Sequence, residues 1–78
     1  MYKFKELDTV ILTRDIKRHG LRKEDMGAVV YVHDGGKAGE VEFVTATGRT
    51  IALVTLISSD VREIKQNDVL HVRGAAAA

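Results

Sequence analysis

Apolar residues in this chain recur with a period of two, in short runs broken by glycine and small polar residues. Alternation of this kind sends successive side chains to opposite faces of an extended backbone, so it predicts strands rather than helices. Residues 28–33, 40–44 and 50–56 read as three strands of a meander, and the rest of the chain is organised around them. Asp34, Gly35, Gly36 and Lys37 separate the first two, a good hairpin signal because primed turns need positive φ. Gly48, late in the loop 45–49, fits the αL position of the second hairpin. Ahead of the meander, residues 9–13 are rich in β-branched side chains, which suit a pleated, half-buried surface. After it, Ser58, Ser59 and Asp60 read as a turn or one turn of 3₁₀ helix. Residues 61–64 read as a short fifth strand with Val61 and Ile64 facing inward.

The flanking segments are less regular. Residues 1–7 alternate and form a lead-in that tucks Phe4 and Leu7 under the sheet. Residues 14–25 form a long charged connection with no consistent period, anchored by Ile16 or Leu21 and eased by Gly20. Gly27 marks a tight bend or close backbone approach, and Gly39 a bulge that curls the sheet. A domain over residues 1–64 is expected, followed by an extension over 65–78. Within that extension Val69 to Val72 suits an added or exchanged strand, whereas Gly74 and the alanines after it have no packing role.

The faces of the strands differ. Glu40 and Glu42 point one way, Val41 and Phe43 the other, so that strand has one wet face. Strands 28–33 and 50–56 are apolar on both faces. If Val30, Val32, Val41, Phe43 and Leu53 fill the core, Val29, Tyr31, Ala52 and Val54 form a second apolar surface. Such a patch marks an interface, and self-association or a protein partner is expected there. A one-residue register shift exchanges the two sets.

Composition narrows the classes. A chain of 78 residues makes one domain, and at about 60 ordered residues only about 60% of the unfolded surface is buried. There is no cysteine, which excludes disulfides and thiolate zinc sites and leaves a good core or a partner chain as the source of stability. Twelve Lys and Arg against eleven Asp and Glu give a net charge of +1, so overall charge gives no reason to expect nucleic acid or an anionic membrane. No run approaches the ~20 apolar residues of a membrane span, and the N-terminus lacks a signal-peptide core, so a cytoplasmic protein is expected.

Candidate chemistry is sparse. Arg14, Lys17, Arg18, His19, Arg22 and Lys23 crowd one loop and suit phosphate contacts, but Asp15, Glu24 and Asp25 offset half of that charge and aromatic platforms are few. Nucleic acid is therefore the alternative reading. With two Tyr, two Phe and no Trp, neither a proline-ligand groove nor a methyl-lysine cage is expected. His19, His33 and His71 lack the i, i+2 or i, i+4 pairing favoured at metal sites. There is no nucleophile elbow or phosphate-cradling glycine loop; Ser58 and Ser59 suit a turn, and Glu40 and Glu42 suit a solvated face. No enzyme activity, cofactor, metal or small-molecule substrate is expected.

Five short strands, a long loop after the first, a meander and a 3₁₀-like turn before the last resemble an SH3-like barrel over residues 7–64. More narrowly, Phe4-Lys5-Glu6-Leu7-Asp8, Val10-Ile11-Leu12-Thr13, Gly27-Ala28-Val29-Val30, Glu40-Val41-Glu42-Phe43 and Ile51-Ala52-Leu53-Val54-Thr55-Leu56 are similar to a family of short bacterial proteins classed as a domain of unknown function (4926). That resemblance implies a small all-β accessory protein acting beside a partner chain, and carries no catalytic residue with it. Fold alone is weak evidence for function.

Overall fold

The computed structural model describes residues 1–45 and 47–64. Five strands form one antiparallel sheet: β1 (Thr9–Leu12), β2 (Met26–His33), β3 (Ala38–Val44), β4 (Thr50–Ile57) and β5 (Val61–Glu63). Their order across the sheet is β4-β3-β2-β1-β5. Among the described residues no pairing joins β4 to β5, so the sheet is not closed. There is no α-helix among them either, only single 3₁₀ turns at Lys17–His19, Asp34–Gly36 and Ser58–Asp60. Among the described residues no helix is long and apolar enough to cross a membrane. The extension from residue 65, including Val69 to Val72 and His71, lies outside the described residues.

The core lies on one face of this sheet. It contains Val10 and Leu12 from β1, Val29 from β2, Val41 and Phe43 from β3, Val54 and Leu56 from β4 and Val61 from β5. Phe4, Ile16 and Leu21 complete it from the flanking segments. Phe4 is held by its backbone N–H, which donates to the Gly36 carbonyl at 2.9 Å. Both loop anchors are buried. Ile16 and Leu21 exchange backbone hydrogen bonds of 2.9 and 3.1 Å across the 3₁₀ turn, and Gly20 supplies its φ of 69°.

Two glycines are present because side chains occupy their Cβ positions. A Cβ on Gly27 would lie 2.6 Å from Val41 Cγ1 and 2.7 Å from Phe43 Cε2. One on Gly39 would lie 2.7 Å from Phe4 Cδ2. Gly39 thus makes room for the lead-in rather than a bulge: it pairs in register with Val32 and Leu56.

The bulges fall elsewhere, and they correct the face assignment. In β2 the register shifts between Val29, opposite Val41, and Tyr31, opposite Glu40, which leaves Val30 as the extra residue. Side chains therefore change phase inside the strand. Val29 is buried among the core residues, whereas Val30, expected inside, is exposed. Tyr31 is exposed as expected, and Val32 packs partly buried against the core. In β4, pairing puts Ala52 opposite Phe43 and Val54 opposite Val41, so both turn inward. Leu53 lies opposite Glu42 and is exposed, the reverse of its expected place. Two smaller expectations also fail. Leu7 (φ 74°) and Ile64 are exposed, because the backbone reverses at the first and the sheet ends before the second.

Tyr2 closes the N-terminal side. Its ring meets Phe4 edge-on with centroids 5.0 Å apart, and its hydroxyl donates to Asp8 Oδ2 at 2.9 Å. Burial first, then the bond to Asp8 and its charge, push the phenol from 10.0 up to about 12. A raised folded value means that the neutral phenol is the form the fold favours. Its contribution to stability is complete below pH 10 and is lost as pH rises through about 12. Denaturation followed against pH should show this alkaline loss, and Tyr2→Phe should remove it from the profile.

Candidate interaction face and the basic loop

The side of the meander away from the core carries three parallel rows. On β3, Glu40 and Glu42 alternate with the inward Val41 and Phe43, so both carboxylates stand in the middle row. Around them run Val30 and Tyr31 on β2, and Ile51, Leu53 and Ile57 on β4. These are large apolar side chains left in water: Tyr31 is 55%, Leu53 57% and Ile57 55% exposed. Exposed apolar residues scattered singly need no explanation, but a grouping on one sheet face does.

The acidic row is held by its neighbours. Glu40 Oε2 lies 2.7 Å from His33 Nε2 and accepts the Thr55 hydroxyl at 2.8 Å. Those two bonds, His33 first, hold the Glu40 carboxyl below its ordinary value. Glu42 Oε2 accepts the Thr50 hydroxyl at 3.0 Å. Tyr31 and His33, two residues apart on β2, meet edge-on at 4.8 Å. Both carboxylates, expected on a solvated face, are half-buried and act as hydrogen-bond acceptors for their neighbours.

Of the four side chains expected to form the interface, the structure places Tyr31 on this face and Val29 and Val54 in the core, with Ala52 partly buried against it. Sequence reasoning missed Val30, Ile51, Leu53 and Ile57 as surface residues. The signal that finds Leu53 is cross-strand: once Glu42 is outside, whatever pairs with it is outside too.

The basic run folds differently from a bare charged loop. Arg14 Nε donates to Asp60 Oδ1 at 2.8 Å, which commits it to the turn before β5. Asp15 Oδ1 accepts the Lys23 backbone N–H at 2.8 Å, and Asp25 Oδ2 accepts that of Arg22 at 2.9 Å. These carboxylates are fixed within the run. Lys17 and Arg18 stand exposed on the 3₁₀ turn. The loop thus presents mixed charge rather than a uniform basic stripe. Among the described residues no group of three or more His, Cys, Asp or Glu side chains is placed to hold a metal ion.

An all-β module built on a single five-stranded antiparallel sheet is the class these features define. Residues 6–63 match the family described as a domain of unknown function (DUF4926), and the chain belongs to that family. No curated protein and no solved structure matches it.

Proposed function

We propose that this chain is a non-enzymatic SH3-like module that works by protein–protein contact and self-associates through the meander of β2, β3 and β4, whose outer side is apolar. The strand order, the long loop after β1 and the 3₁₀ turn before β5 support the SH3-like part of this reading. One observation carries the function: Val30, Tyr31, Ile51, Leu53 and Ile57 are exposed on the meander that also supplies the centre of the core. Each leaves apolar area in water that a partner removes, at about 25 cal/mol per Å2.

The alternative, nucleic-acid binding through Arg14, Lys17, Arg18, Arg22 and Lys23, is disfavoured by the use of Arg14 in a structural ion pair and by the carboxylates within the loop. The test compares two titrations by NMR. Raising the protein concentration should shift the signals of Val30, Tyr31, Leu53 and Ile57. Adding RNA or duplex DNA at low salt, where phosphate contacts are strongest, should leave Lys17 and Arg18 unmoved. The opposite pattern overturns the proposal.

A further inference from the structure

Sheet edges present unpaired N–H and C=O groups, and proteins commonly blunt them with charge, proline or brevity. One edge here is treated that way: β5 has three residues, two of them charged. The other is not. β4 runs for eight residues, Thr-Ile-Ala-Leu-Val-Thr-Leu-Ile, with no charged residue, and the chain contains no proline. Among the described residues β3 is its only neighbour.

We propose that the β4 edge receives the β4 edge of a second copy, antiparallel about a two-fold axis at Val54, so that two sheets become one. This rests on the self-association reading above and names its geometry. The strand is self-complementary in this register. A two-fold axis normal to the sheet requires opposed residues to share a face, and centring it on Val54 keeps nearly the whole strand paired. Leu53 then faces Thr55 of the other copy, Ile51 faces Ile57, and Ala52 faces Leu56. No charge opposes another.

Charge also selects edge joining over face stacking. The acidic row sits on β3, one strand in from the edge. Joined edge to edge, the two rows are three strand spacings apart, about 14 Å, beyond the ~8 Å screening length. Stacked face to face, they would meet across about 10 Å in a drier interface.

Hydrogen exchange and cross-linking test this on the whole chain. The outward-pointing amides of β4 should gain protection as concentration rises. Leu53→Lys with Thr55→Lys places like charges directly opposite across the axis and should give a monomer. It should stay folded, since both positions are exposed and lie opposite Glu42 and Glu40 in their own sheet. The chain has no cysteine, so introduced thiols report cleanly. A mixture of Leu53→Cys and Thr55→Cys copies should oxidise to a cross-linked dimer faster than either alone, because opposed Cβ atoms lie about 5 Å apart and diagonal ones about 7 Å. Equal cross-linking rates, or protection independent of concentration as a segment of the same chain would give, overturns the edge geometry. If the double lysine variant still associates and the Tyr31 signals still move, face contact stands and edge pairing falls. If neither the β4 amides nor Tyr31 responds to concentration, both fall.

Discussion

Phe43→Ala should remove most of this protein's stability while leaving a measurable folded fraction. Phe43 is buried at the centre of the sheet's inner face, with Val41 beside it. Truncating a buried phenylalanine typically costs about 3–5 kcal/mol, from lost transfer energy and the remaining cavity. A domain this small has roughly 5 kcal/mol to lose. Chemical denaturation followed by circular dichroism measures the change. The structure adds a sharper expectation. The ring occupies the position where a Gly27 Cβ would stand, 2.7 Å from its Cε2. Gly27→Ala alone should therefore destabilise by overpacking, about 1–3 kcal/mol. Combined with Phe43→Ala, it should cost less than the sum, because the contacts with the ring are gone and only the one with Val41 Cγ1, at 2.6 Å, remains to be relieved. The double-mutant cycle reads that coupling directly.

Asp60→Ala should be the most damaging change of a charged residue. Asp60 is 8% exposed and ties three segments together. Its Oδ2 accepts the Ile57 N–H at 3.0 Å at the end of β4, its Oδ1 accepts Arg14 Nε, and its carbonyl accepts the Thr13 N–H at 2.9 Å. Truncation leaves the Ile57 amide without its acceptor and frees the Arg14 head. The amide carries most of the cost, about 1–3 kcal/mol. Arg14→Ala should lose less than about 1 kcal/mol, since the guanidinium is more than half exposed and water replaces its partner. Equal losses from the two substitutions would show that the ion pair, and not the turn, is what Asp60 supports.

All five strands, the 3₁₀ turn at Ser58–Asp60 and the positive φ at Gly20, Gly35, Gly36 and Gly48 were legible in the residues. Glycine and short polar side chains have local conformational signatures, and strands of this composition alternate visibly. The faces were not legible. Val29 and Val30 are chemically identical, and nothing in either says that the backbone inserts an extra residue between Val29 and Tyr31. In β4 the irregularity next to Ile51 is likewise a property of the pairing with Phe43 and Val44. A strand apolar on both faces carries no phase of its own, so its neighbours decide which side is inside. The candidate site inherited that ambiguity: of its four residues Tyr31 is exposed, whereas Val29 and Val54 lie in the core and Ala52 is partly buried against it.

The pairing of β1 with β5 brings Val10 beside Glu63 and encloses everything between them. Strands β2, β3 and β4 are linked by hairpins, which assemble in microseconds from contacts near in sequence. Seating β5 instead requires the polypeptide to close a ring of about fifty residues, whose entropic toll rises only as the logarithm of its length. The meander should condense early, with its β4 border formed before the last strand finds its berth, and pulse-labelled hydrogen exchange during refolding should show β2 to β4 protected ahead of β5.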